Sequence, residues 1–149
     1  MKPFDFIQPE TTDSAILALS EYSPNVRILN GGTDYLVELK HVAQSPGVVV
    51  DVSRLKDLKG IDIIDAGLRI GAGVTHSEIM ADPLIKEHVP AMIDAAHTVG
   101  AVQTRNLGTL GGNLVTCVPS MDSGPTLLAF DAEVTIMGAK GTRKSSLSD

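Results

Sequence analysis

The run Val48-Val49-Val50-Asp51-Val52 sets three β-branched residues in succession inside an almost wholly apolar stretch introduced by Gly47. A strand wet on one face alternates between apolar and polar residues. A near-continuous run suits a strand covered on both faces, as in parallel sheets. Upstream, Val26–Leu29 is a second short strand that runs straight into Asn30-Gly31-Gly32-Thr33-Asp34, after which Tyr35, Leu36, Leu39 and Val42 recur at helical spacing. Strand, glycine turn, helix and strand make a β-α-β unit, and hence a parallel pair. Ahead of it, Phe4, Phe6 and Ile7 form a first strand or extended arm closed by Pro9. Thr12 or Asp13 is expected to cap a helix over 14–22, which Ser23-Pro24 stops.

The pattern changes after the mostly polar connection 53–60. Ile61, Ile63 and Ile64, then Leu68, Ile70 and Ala72, alternate on either side of Asp65-Ala66-Gly67, the signature of an antiparallel hairpin. Thr75-His76-Ser77-Glu78 has capping-box spacing, Pro83 suits the first position of a further helix, Pro90 breaks the helical stretch that follows, and Gly100 ends it. Residues 101–119 are polar and glycine-rich and read as an ordered loop. A helix over 122–130, a strand over 133–137 and a polar hairpin or tail complete the chain. The expected fold class is therefore α+β. A small α/β subdomain over 1–57 is followed by 58–149, part of a larger subdomain with an antiparallel sheet and helices.

Composition narrows the function. Of 149 residues, 12 are Lys or Arg and 18 are Asp or Glu, a formal charge of −6. With no basic block, a surface that gathers nucleic acid or anionic lipid is not expected, since both are polyanions. The lone Cys117 forms no intrachain disulfide and does not by itself hold zinc or an iron–sulfur cluster, so no metal site is expected. The uninterrupted apolar stretches fall far short of the ~20 residues of a membrane helix, and the N-terminus lacks the basic and apolar regions of a signal peptide. The expectation is a cytoplasmic chain without a membrane span.

Two glycine-rich segments carry the chemistry. In Asn30-Gly31-Gly32-Thr33-Asp34 the glycines allow positive φ and remove Cβ atoms, so successive N–H groups can converge on phosphate oxygens ahead of a helix. Taken alone, such a turn is more often just a tight strand–helix connection, and Asp34 is equally a plain helix cap. It is not the nicotinamide-binding fingerprint, because the G-x-G-x-x-G spacing is missing, and Gly71-Ala72-Gly73 lacks the third glycine. The second segment, Gln103 to Asn113, combines three glycines with Thr104, Thr109, Arg105, Asn106 and Asn113. It can wrap an extended polar ligand, or Arg105 and Asn113 can simply tie the loop to backbone carbonyls. Asp122 is either a helix cap or an acceptor for ligand hydroxyls.

The strings NGGTD at 30–34, RIGAGVTHSEI at 69–79, QTRNLGTLGGNL at 103–114 and the D-x-x-P-x-L-L-A-x-D-A pattern at 122–132 resemble the FAD-binding subunit of the molybdenum hydroxylases. This family includes the flavin parts of xanthine dehydrogenase and aerobic carbon monoxide dehydrogenase. The resemblance runs in order along essentially the whole chain. It implies a PCMH-type fold with FAD between two subdomains. It implies that Asn30, Gly31, Gly32, Thr33 and Asp34 line the pyrophosphate. Thr109, Gly111, Gly112 and Asn113 approach it from the second segment, and Asp122 bonds ribityl or neighbouring hydroxyls. Thr75 and His76 match a family block to which no role is assigned; His76 is expected to be structural, and no catalytic residue is expected.

The resemblance further implies an electron-transfer role beside a molybdopterin-binding large subunit and a [2Fe–2S] small subunit, with NAD⁺ or another acceptor taking the electrons. Family members continue well past the position matching Asp149, so the chain is expected to be a fragment, a truncated product or half of a split subunit. The alternative expectation is a cofactor-free assembly or interaction module that keeps the family fold.

Overall fold

The computed structural model describes residues 3–41, 46–119 and 121–148; Val42, part of the helical spacing after Asp34, lies outside them. Asp5–Ile7 (β1), Val26–Leu29 (β2) and Val48–Asp51 (β3) form one parallel sheet in the order β1-β3-β2. The expected pair is thus a trio, because the N-terminal arm joins the sheet. Ile7 and Ile28 flank Val50, and Phe6 and Arg27 flank Val49. All four residues of the central strand β3 are buried, as its unbroken apolar run requires.

Helix α1 spans Thr12–Glu21 and is capped by Thr11, one residue earlier than expected. Thr11-Thr12-Asp13 offers three capping side chains in a row, and Ser14 decides between them. Thr11 Oγ1 accepts from the Ser14 N–H at 3.1 Å while the Thr11 N–H donates to Ser14 Oγ at 3.2 Å. Ala15 and Ala18 then pack on Val48, Val50, Val52 and Leu55, with Ile7, Leu19, Val26 and Leu58 around them. Helix α2, Tyr35–His41, buries Leu39. A single 3-10 turn at Lys56–Leu58 leads out of this unit.

Ile61–Ile64 (β4) and Gly67–Ile70 (β5) pair as the expected antiparallel hairpin. Three short helices follow: α3 over His76–Ala81, α4 over Pro83–His88 and α5 over Ala91–Thr98. Thr75 and Glu78 form the capping box of α3, and Asp82 caps α4 ahead of Pro83. These helices build a second core from Val74, Ile79, Ile85, Met92, Ala96 and Leu110.

Residues 101–119 depart from the expected loop. They hold two helices, α6 over Val102–Leu107 and α7 over Leu110–Thr116. Glycines inside α7 cost helix propensity, about 1 kcal/mol each against alanine, which is why the segment looks irregular on local grounds. Packing overrides that cost. Leu110 is a member of the second core, and a Cβ on Gly111 would stand 2.7 Å from that of Ala72. Helix α8, Gly124–Ala129, and the hairpin of Glu133–Gly138 (β6) with Gly141–Ser146 (β7) complete the fold. No helix among the described residues is long and apolar enough to cross a membrane.

Candidate functional site

The turn 30–34 leaves the end of β2 and enters α2. Gly32 sits at φ 73°, in the left-handed region that favours glycine, with Leu29 and Leu36 packed beneath it. Gly31 is required for a different reason. A Cβ there would run into the carbonyl group of Leu107 and stand 3.1 Å from Gly108 Cα. The two glycine-rich segments, more than seventy residues apart in sequence, therefore meet main chain to main chain. The Gly32 carbonyl accepts from the Leu36 N–H at 3.0 Å and the Asp34 carbonyl from the Glu38 N–H at 2.9 Å. The N–H groups of Gly31, Gly32, Thr33 and Asp34 donate to no other described residue.

Most of the second segment's N–H groups at the start of α7 are satisfied internally, the Thr109 N–H excepted. Thr109, 4% exposed, caps α7 by accepting the Gly112 N–H at 3.2 Å. Leu110 N–H donates to Val74 O at 2.9 Å, Gly111 N–H to Ala72 O at 2.8 Å, and Asn113 N–H to Thr109 O at 2.9 Å. The Asn113 side-chain oxygen accepts from both the N–H and the hydroxyl of Ser123. The first turn thus presents free main-chain donors, whereas those at the start of α7 hold the segment onto the hairpin and α3.

Arg105 takes the structural option of the two left open by sequence. Its guanidinium donates to the carbonyls of His97, Val99 and Gly100 at 3.3, 2.9 and 2.8 Å, closing the end of α5. Asp122 does not cap α8, whose N-cap position is Ser123. Its carboxylate accepts from the Thr98 hydroxyl at 2.8 Å, which holds it beside α5.

His76 lies where these segments converge. Its N–H donates to the Gly108 carbonyl at 3.1 Å. A Cβ on Gly108 would stand 3.4 Å from both the His76 ring carbon Cδ2 and Thr33 Oγ1. The side chain is 2% exposed, yet its Nδ1 has no hydrogen-bond partner among the described residues. Burial pulls the imidazole below the usual histidine range, against the opposing pull of the Asp122 and Asp34 carboxylates. Sequence reasoning treats this residue as structural. The available signal was the capping box itself, which fixes the backbone of His76 as the first residue of α3.

Orphaned donors and acceptors in buried or half-buried positions ask for a polar partner. Four main-chain N–H groups on one turn with no partner among the described residues suit phosphate oxygens, and a neutral imidazole nitrogen suits a hydroxyl. The residues present therefore fit a dinucleotide such as FAD.

Comparison with known proteins agrees. The chain is 38% identical, over its whole length, to the nicotinate dehydrogenase FAD-subunit of Eubacterium barkeri, and covers 51% of that protein. It is 35% identical over 94% of its length to the xanthine dehydrogenase FAD-binding subunit of Escherichia coli O157:H7, of which it covers 49%. A solved structure of quinoline 2-oxidoreductase from Pseudomonas putida 86 matches with a TM-score of 0.94 and 28% identity, over 100% of this chain and 53% of the other. The chain thus spans about half the length of the curated relatives it matches. The family model described as the FAD binding domain in molybdopterin dehydrogenase matches residues 2–149, and the chain belongs to that family.

Proposed function

We propose that this chain is the flavin-holding part of a molybdopterin-dependent dehydrogenase or hydroxylase. In this reading it works in the cytoplasm between [2Fe–2S] clusters on a small subunit and NAD⁺ or another acceptor, beside a molybdopterin-binding large subunit. FAD, when bound, supplies the ability to take electrons singly and release them in pairs. The chain's own residues position and enclose it. Asn30, Gly31, Gly32, Thr33 and Asp34 would hold the diphosphate through main-chain N–H groups, with the α2 N-terminus adding a favourable partial charge. Thr109, Gly111, Gly112 and Asn113 would form the facing wall. The amides of Gly111, Gly112 and Asn113 are engaged within the protein, so those residues contribute a close, fixed surface, while the Thr109 N–H has no partner among the described residues. Asp122 would accept from ligand hydroxyls, steadied by Thr98. No protein acid or base is required for this role.

The observation that carries the reading is the contact of Gly31 with Leu107 and Gly108, which brings both segments to one place with the first turn's amides free. The visible spectrum of the purified protein tests it. Flavin bands, lost to the supernatant on denaturation, are expected, or an apo form that takes up added FAD. A folded, colourless protein that binds no FAD overturns it and favours the cofactor-free assembly module. Residues 1–57 and 58–149 would be the two subdomains flanking the ligand. Limited proteolysis with and without FAD tests that division, with protection of the 53–60 connection expected on binding.

A further inference from the structure

His76 is the buried polar group for which the site as described has no use. Among the described residues, two buried side-chain atoms lack a hydrogen-bond partner, Tyr35 Oη and His76 Nδ1. Burial raises the Tyr35 hydroxyl above its usual range, and the charges that act on it are those of Arg27 in β2 and Glu38 in α2, neither of them in the second segment. His76 differs. The second segment, through Gly108, and the 30–34 turn, through Thr33, come together beside its ring, and the Asp34 and Asp122 carboxylates act on its charge.

An orphaned buried polar atom costs about 1–3 kcal/mol of desolvation, and a rigid position gives it no escape to solvent. The His76 main chain is held by Gly108, and its helix begins at a full capping box. The orphan is therefore built in, and nothing among the described residues supplies what it lacks.

We infer that His76 is a cofactor-binding residue, whose Nδ1 accepts a hydrogen bond from a hydroxyl of the ribose or sugar-alcohol part of the bound flavin dinucleotide. The charge around the ring selects the hydroxyl over a phosphate. Asp34 and Asp122 both act on it, and a phosphate placed there would meet two carboxylates, whereas a hydroxyl can donate to the ring. Burial keeps the imidazole neutral, which leaves Nδ1 an acceptor when the proton is on Nε2. This inference rests on the FAD-binding reading above.

The test compares wild type with His76→Phe, which keeps a ring but removes both nitrogens, and His76→Asn, whose amide oxygen can accept near the Nδ1 position. Two quantities are measured in the native chain: the FAD dissociation constant, by quenching of flavin fluorescence, and the melting temperature of the apo form. His76→Phe is expected to weaken FAD binding about tenfold, the effect of one lost hydrogen bond. Its apo melting temperature should be unchanged or higher, because an unsatisfied polar atom has been removed. His76→Asn should bind within about threefold of wild type. A structural histidine gives the reverse: a lower apo melting temperature with FAD affinity untouched. Should His76→Phe fail to fold, 15N spectra of wild-type His76 decide. An unprotonated Nδ1 whose resonance shifts on FAD addition supports the inference; a protonated Nδ1, or one indifferent to FAD, overturns it. Equal FAD affinity of wild type and His76→Phe overturns this inference alone. Absence of FAD uptake by wild type overturns the parent reading, and this one with it.

Discussion

Thr75 and Thr109 pair across an isolated antiparallel bridge, and each is at the same time the N-cap of the helix that follows it. One backbone contact therefore sets the starting points of α3 and α7 together. His76, one residue past the first threonine, and Gly108, one before the second, are linked by a hydrogen bond of 3.1 Å. Between them they fix the floor on which the 30–34 turn rests.

Loss of either cap should loosen that floor. Thr75→Ala removes the acceptor for the Glu78 N–H and frees the Glu78 carboxylate from the Thr75 hydroxyl. A destabilisation of about 1 kcal/mol, within the usual range for an N-cap threonine, is expected in urea unfolding. Thr109→Ala should cost at least as much, since the hydroxyl that receives the Gly112 N–H is itself buried.

Glycine substitutions separate packing from freedom of the backbone. At Gly31 an added methyl has nowhere to go but into the Leu107 carbonyl, which belongs to the main chain. Gly31→Ala is expected to lose about 1–3 kcal/mol and to weaken FAD binding with it, by forcing the two segments apart. At Gly112 the methyl meets only Thr109 Oγ1, at 3.0 Å. Gly112→Ala should be much milder, because the gain in helix propensity, about 1 kcal/mol, offsets the adjustment of one hydroxyl. Equal losses in thermal melts would contradict this account.

Arg105→Ala leaves the carbonyls of His97, Val99 and Gly100 without their donor. Charge-assisted bonds of this kind contribute about 1.5–3 kcal/mol, and a loss in that range is expected by chemical denaturation. Arg105→Lys should recover only part of it, because all three bonds come from Nη1, at the tip of a side chain longer than lysine's. Weaker flavin retention should accompany the stability loss and scale with it.

Acid should act in two windows. Burial holds folded His76 below the ordinary value of 6.5, so the unfolded chain binds protons more readily. The stability tied to the neutral ring is complete above that value and is lost as pH falls from it through the lower folded-state value. Burial pushes the Glu78 carboxyl up, but hydrogen bonds from the Thr75 N–H and hydroxyl, helped by Lys59, outweigh it and leave the group below its ordinary 4.5. Its contribution is present above 4.5 and disappears at more acid pH. In urea unfolding followed across pH, His76→Phe should remove the upper dependence and Glu78→Gln the lower, each leaving the other in place.

Legibility from sequence followed the range of the interactions. β3 was legible because burial on both faces leaves a local trace, and the α3 cap because its four residues are adjacent. The strand partner of β1 was not, since a three-residue arm carries no mark of where it pairs. α7 was hidden because Gly111 and Gly112 depress helix propensity, while the groups that override it, at Ala72 and Val74, lie more than thirty residues away in sequence; α6 was hidden because Val102, Thr104 and Asn106 are weak helix formers. The site residues could be named from their motifs. That the start of α7 engages its own amides while 30–34 keeps its N–H groups free is a property of the assembled chain alone. His76 was set aside for the same reason, as only the packed structure shows its Nδ1 buried without a partner.

The seam between Gly31 and Leu107–Gly108 is bare backbone on both sides. No rotamer change can widen or narrow it, and a hinge between the sheet and the helices would have to rupture it outright. The spacing from the first turn to His76 therefore behaves as a fixed gauge, to which an incoming molecule must conform.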